Sequence, residues 1–457
     1  MMIFEQHYLD CLSQASYFIG DETTKRAVVV DPRRDVSPYL ETARDHDLTI
    51  ELVIETHFHA DFLSGHLELA ATTGAEIAYG SIAETEFPSR KLADGEHISL
   101  GEVELQIRHT PGHTPESISI VVSESGHEPY AVLTGDTLFV GDVGRPDLLS
   151  SVGVTSEELA ADLYTSIHTQ LLPLPDETRV YPAHGAGSSC GKNLSNETWS
   201  TIGEQRNSNY ALAVPSQEAF IAAVTDGQTA PPAYFSFDAM RNREAHDVLD
   251  EDAPPPLMSI DEVLEAQANG AIVIDGRDPA EFAAGHVIGS LNVGMAGRFA
   301  EYCGAMVNPH VDVVLVTDPG GETLAKNRLA RIGFDRVIGS LNDPLVSMEG
   351  HPNVVARGSR IDVAGAENAL AAIEDLQLLD VRQPGETADG VIGGAKVIPL
   401  TRLAAELGTL NPARPTLVYC AGGFRSSIAT SYMAANGFAD VTDLLGGYGA
   451  WTAANRS

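Results

Sequence analysis

A chain of 457 residues is longer than one ordinary core needs, so two to four domains are expected. Hydrophobic residues at 43% with charged residues at 20% describe an ordinary soluble globular protein and exclude a disordered or fibrous one. Twenty-eight Lys and Arg against 64 Asp and Glu give a net charge of −36, a field that repels nucleic acid and anionic membranes and sets both aside as partners.

The N-terminus, MMIFEQHYLDCL, carries acidic residues where a signal peptide needs a basic region. No run reaches the roughly 18 apolar residues of a membrane helix. Four cysteines, Cys11, Cys190, Cys303 and Cys420, lack the short paired spacing of a zinc knuckle or disulfide framework. A cytoplasmic location is the expectation.

From Met1 to about Arg243, short β-rich runs (AVVVDP, IELVIE, VELQIRH, SISIVV, YAVLTG, RVYPA) alternate with helix-like stretches, the pattern of a layered α/β domain. Asp247–Pro256, DVLDEDAPPP, suits a stiff linker. Beyond it the chain repeats itself. IVIDGRDPAEFAAGHVIGSLNV from Ile272 matches LLDVRQPGETADGVIGGAKVIPL from Leu378, with Asp275/Arg277 recurring as Asp380/Arg382 and Glu281 as Glu386. Alternating strands and helices imply a doubly wound parallel sheet in each copy, with ligand loops at the strand C-termini.

Chemistry concentrates at strand ends. Thr56-His-Phe-His-Ala-Asp61 follows the apolar Leu52–Ile54, His109-Thr-Pro-Gly-His113 follows VELQIR, Gly135-Asp136 follows YAVLT, and His184 follows RVYP. Imidazoles and carboxylates at four strand ends of one sheet edge are where an α/β scaffold assembles a site. Residues 1 to about 245 thereby resemble the metallo-β-lactamase superfamily, whose signature is HxHxDH with later His, Asp and His segments. Here the sixth position is Phe62, so a ligand for the second ion of a dinuclear zinc hydrolase is missing. One ion held by two His and one carboxylate is instead the pattern of non-haem iron oxygenases.

The persulfide dioxygenase branch of that superfamily uses such a triad. SYFIGD, HTPGHTPES, GDTLF, VGRPD and EQRN add to the similarity. The resemblance implies Fe(II), one per chain and with no organic cofactor, on His57, His113 and Asp136. It places His59, Asp61 and His184 behind the ligands, and aligns Tyr17 and Arg145 with thiol-substrate contacts. Either could equally be a packed tyrosine and a surface ion pair. Cys190, in the flexible loop GAGSSCG, reads as incidental.

In the last copy Cys420-Ala-Gly-Gly-Phe-Arg-Ser426 follows TLVY and precedes a helical run. A loop curling into a helix N-terminus aims several N–H groups at one point and cradles the terminal sulfur of a persulfide with its negative charge. With GGYGAW near the C-terminus, it resembles rhodanese sulfurtransferases. That implies Cys420 as nucleophile, Arg425 as a charge for thiosulfate or sulfite, and Gly422 and Gly423 as the curl. The first copy aligns Asp318 with Cys420 and Thr323 with Arg425, and a carboxylate carries no persulfide. That copy is expected to be structural, an interface or spacer.

The expected architecture is therefore an αββα sandwich over 1–246, a linker over 247–257, a degenerate rhodanese-like domain over 258–358 and an active one over 359–457. The expected activity is oxidation of the sulfane sulfur of a small thiol persulfide by O2 to sulfite, coupled to sulfur transfer through Cys420. The alternative is a thioester hydrolase resembling glyoxalase II. Expected partners are the persulfide, O2, and sulfite or thiosulfate, with a homo-oligomer left open.

Overall fold

The computed structural model describes residues 1–124, 126–148, 154–228, 231–388 and 390–455. Two units separate: Met1–Asp250 with Ala330–Gly333, and Glu251–Leu329 with Phe334–Ser457. No helix among the described residues is long and apolar enough to cross a membrane.

The first unit holds two six-stranded sheets. One orders β1 (Met2–Leu9), β2 (Gln14–Asp21), β3 (Arg26–Val30), β4 (Thr49–Ile54), β5 (Glu76–Gly80) and β6 (Arg90–Leu92) side by side. The other orders β12 (Ser200–Thr201), β11 (Arg179–Pro182), β10 (Ala131–Gly135), β9 (Ile118–Glu124), β8 (Val103–His109) and β7 (His97–Ser99). Side chains of a strand point alternately to its two faces, and β3 shows the result. Val28 and Val30 join Leu105, Ile107, Ile120 and Leu133 in the core between the sheets. Ala27 and Val29 pack outward with Tyr39, of helix α1 (Ser37–Asp45), and Leu69, of α2 (His66–Thr73). The second sheet is covered in the same way: Val121 and Val132 pack with Leu163 of α3 (Ser156–Ser166). Strands buried on both faces explain why the runs read as continuously apolar, and the layers are helix, sheet, sheet, helix.

The second unit contains two parallel sheets of one topology. The first runs β13 (Leu257–Met258), β17 (Val337–Leu341), β16 (Val313–Val316), β14 (Ile272–Asp275), β15 (Leu291–Asn292). The second runs β18 (Ser359–Ile361), β22 (Val441–Leu444), β21 (Thr416–Tyr419), β19 (Gln377–Asp380), β20 (Lys396–Val397). Both orders are first, fifth, fourth, second, third in chain order, so the weak sequence repeat is a repeat of fold. Asp275 and Asp380 end equivalent strands, and each is gripped by its arginine, Nη2 to Oδ2, at 2.5 and 2.6 Å.

Candidate functional site

The loops after β4, β8, β10 and β11 converge between the ends of the two sheets. The single sheet edge expected from the sequence is corrected here: β4 belongs to one sheet and the other three strands to its partner. Face-to-face packing of the two sheets brings those ends together.

Each histidine of the expected triad is held so that Nε2 faces inward. Asp31 sits in the left-handed region (φ 51°) and accepts both the Thr56 N–H, at 2.7 Å, and its hydroxyl, at 2.8 Å. The Thr56 oxygen is then left to accept the His57 Nδ1–H, at 3.0 Å. His113 donates Nδ1–H to the Arg145 carbonyl at 2.9 Å. Asp136 turns in from β10 through Gly135 (φ 51°), where a Cβ would lie 2.7 Å from Thr56 Oγ1. Asp136 Oδ2 is buried without a hydrogen-bond partner among the described residues, 3.8 Å from His57 Nε2 and 3.5 Å from His113 Nε2. The three ligand atoms lie within 4.8 Å of one another. Two lone pairs and an orphaned carboxylate oxygen aimed at one point fit a cation, because anything else leaves that oxygen desolvated and unpaid.

Electrostatics agree. Burial, with the neighbouring His59, holds the His57 pKa well below the ordinary imidazole value, which leaves its ring neutral. Burial works to raise the pKa of Asp136, but His184, His57 and His113 overcome it and keep the group ionised. Neutral imidazole and ionised carboxylate are the forms a metal takes.

The residues expected behind the ligands divide. His184 spans two carboxylates, Nδ1 2.7 Å from Asp136 Oδ1 and Nε2 2.8 Å from Asp61 Oδ2, and the two raise its pKa well above normal against the opposing effect of burial. His59 lies against His57 with ring centroids 4.1 Å apart but pairs by charge elsewhere, its Nε2 3.1 Å from Asp31 Oδ1 and 3.4 Å from Glu55 Oε2. Burial would lower its pKa, and those carboxylates push it up to about 10. Of the two histidines in HTPGH, His109 lies outside the cluster and donates to the Leu92 carbonyl.

Cys190 is the residue that sequence reasoning undervalued. It is buried, and its sulfur lies within 4.8 Å of ligand atoms of Asp61 and His184. Burial, with Asp61 and Asp136, pushes its thiol pKa well up. Its one sequence signal is a cysteine six residues past a strand-end histidine. Cys303 is buried too, in an apolar setting that raises its pKa.

Tyr17 is 1% exposed; its hydroxyl donates to the Pro182 carbonyl at 2.5 Å and accepts from Gln6 at 3.2 Å. Arg145 is also 1% exposed, with Nε and Nη2 on Asp147 at 2.7 and 2.8 Å and Nη1 on the Ser189 carbonyl at 3.1 Å. Its backbone N–H donates to the Cys190 carbonyl at 3.0 Å. These dispositions favour a packed tyrosine and an ion pair, with Arg145 clamping the Cys190 loop to the support of His113.

In the second unit, Cys420 follows β21 and the chain curls through Gly423 (φ 102°) into helix α5 (Phe424–Ala435; α4 is Phe299–Met306). Gly423 N–H points at Cys420 Sγ at 3.1 Å, and Ser426 Oγ lies 3.5 Å from it. Arg425 forms a two-pronged pair with Glu386, both contacts 2.6 Å. GGYGAW backs the loop, with Tyr448 N–H on the Cys420 carbonyl at 2.7 Å. Gly422 is exposed, and a Cβ there would meet no described atom within 4 Å beyond its chain neighbours. In the other copy Asp318 is exposed, and no cation pairs with Glu281 among the described residues.

Comparison with known proteins follows the same division. Residues 9–184 match the metallo-beta-lactamase superfamily, and residues 259–344 and 365–454 each match a rhodanese-like domain. A Staphylococcus aureus crystal structure titled a metallo-beta-lactamase aligns with TM-score 0.67 and 33% identity, covering 74% of this chain and 98% of that one. The human persulfide dioxygenase ETHE1 is 28% identical over 210 residues, 44% of this chain and 73% of that protein. A beta-lactamase hydrolase-like protein of Xylella fastidiosa is 30% identical over 46% of this chain, which spans about half (52%) of that relative. The chain belongs to the metallo-beta-lactamase superfamily and carries two rhodanese-like domains behind that fold.

Proposed function

We propose that the first domain is a sulfur dioxygenase acting on the persulfide of a low-molecular-weight thiol, and that Cys420 transfers sulfane sulfur among persulfide, thiosulfate and sulfite. The observation that carries the first half is Asp136 Oδ2, buried, without a hydrogen-bond partner among the described residues and faced by two imidazole lone pairs. His57, His113 and Asp136 would hold Fe(II), which supplies the redox chemistry joining O2 to sulfur. Persulfide, O2 and water are consumed, and thiol, sulfite and two protons are released. His184 keeps Asp136 turned toward the site, and the Arg145 carbonyl keeps His113 in the tautomer that offers Nε2. The similarity to human persulfide dioxygenase supports this reading.

The hydrolase reading needs a metal donor where Phe62 stands. That ring is fully buried and packs on His59 with centroids 4.3 Å apart. For the second half, sulfite is an acceptor for the sulfur on Cys420 and yields thiosulfate; in reverse, Cys420 supplies persulfide sulfur. The test is an oxygen-electrode assay with glutathione persulfide. One sulfite formed per O2 consumed supports the proposal, and no persulfide-dependent uptake by the iron-loaded protein rejects it.

A further inference from the structure

The degenerate copy packs directly on the helix that carries the active loop. Asn292, at the end of β15, accepts the Ser427 hydroxyl at Oδ1 (2.7 Å), and its N–H donates to Ser431 Oγ at 2.9 Å. All three residues are buried. A Cβ at Gly294 would lie 3.2 Å from the Phe424 ring, so that phenyl, from within the CAGGFRS loop, rests on the other copy's backbone. Tyr302, on α4 of that copy, packs on the same phenyl with centroids 5.8 Å apart.

The charges around Cys420 leave a role open. Both prongs of Arg425 are engaged by Glu386, so cation and carboxylate cancel. A thiosulfate dianion approaching a thiolate there needs further donors. Arg298, one turn before Tyr302, is paired with Glu301. Tyr302 packs against the phenyl that precedes Arg425 in the loop, and its hydroxyl shares the local field with Arg425, Cys420 and Glu386. Burial raises its pKa, with Arg425 and Arg298 opposing, so the hydroxyl keeps its proton and can donate.

We infer that the degenerate copy completes the Cys420 site, its Tyr302 hydroxyl binding the sulfonate oxygens of thiosulfate or sulfite. The inference rests on the sulfur-transfer half of the proposed function. In the step served, the Cys420 thiolate attacks the outer sulfur of thiosulfate. The Sγ–S bond forms as the S–S bond breaks, and the bonding pair leaves on sulfite, with total charge unchanged. Tyr302 holds the leaving oxyanion and takes no part in bond exchange.

Full-length Tyr302→Phe keeps the ring on Phe424 and removes only the donor. Losing a hydrogen bond to a charged group is expected to raise KM for thiosulfate roughly tenfold. Turnover at saturation should stay within about twofold, and KM for glutathione persulfide, whose transferred sulfur bears no oxyanion, should not move. A thiosulfate KM within twofold of the parent, or equal rises for both donors, overturns the inference while leaving sulfur transfer by the parent intact. A parent that transfers no sulfur from either donor refutes the underlying reading, and the inference with it.

Discussion

His184 holds Asp136 by one oxygen and leaves the other to the site: Nδ1 lies 2.7 Å from Oδ1, while Oδ2 has no hydrogen-bond partner among the described residues. Groups that orient a ligand this way typically contribute 10–100-fold in metal affinity or activity. His184→Ala should therefore weaken iron binding by about that factor, read as iron retained after dialysis against a graded chelator. Sulfur transfer through Cys420 should not change, and undiminished iron retention would show that Asp136 needs no such support.

His57→Ala and Asp136→Ala each remove one of three donors. Both proteins should lose iron and persulfide-dependent O2 uptake while keeping thiosulfate:thiol transfer. Dioxygenase turnover surviving in either would mean that the ligand set is misassigned.

Arg145 gives a third expectation. Asp147→Ala leaves a buried guanidinium without its carboxylate, a loss of about 1–3 kcal/mol. Because Asp147 is partly exposed, the low end applies, and the first melting transition should fall by a few degrees. The loop that presents its carbonyl to His113 should loosen as well, so iron retention should drop. If Arg145 instead served a substrate carboxylate, KM for persulfide would rise with iron content unchanged.

Much of this site is legible in the sequence because its donors stand at fixed short distances from apolar strands. His57 and Asp136 follow β4 and β10 within three residues and one residue, where a strand end fixes direction. Contacts made by loops returning from far along the chain are not legible. Nothing local places Cys190 beside Asp61, or says that the Arg145 fork closes on Asp147 instead of opening to a ligand. The β1–β2 hairpin was equally hidden: β1 is half-buried throughout and its alternation is weak. In the second unit the aligned loops show Asp318 standing where the other copy has Cys420. Tyr302 was invisible because its partners lie on the other copy.

The two copies yield a fourth expectation. Cys420→Ser leaves a hydroxyl that is not ionised near neutral pH and cannot hold a sulfane sulfur, so transfer should vanish. Iron content should be unchanged, and sulfite should accumulate when persulfide and O2 are supplied. Asp318→Ala alters an exposed loop residue and should leave transfer within scatter of the parent. Transfer persisting in the first variant, or lost from a folded second one, would overturn the division of labour between the copies.

The central claim concerns one ion on His57, His113 and Asp136, and the most direct measurement pairs metal analysis of anaerobically isolated protein with O2 uptake on glutathione persulfide in the same sample. About one iron per chain, with uptake that scales with iron content, is the predicted result. Two tightly bound zinc ions per chain, with thioester hydrolysis and no persulfide-dependent uptake, would contradict it.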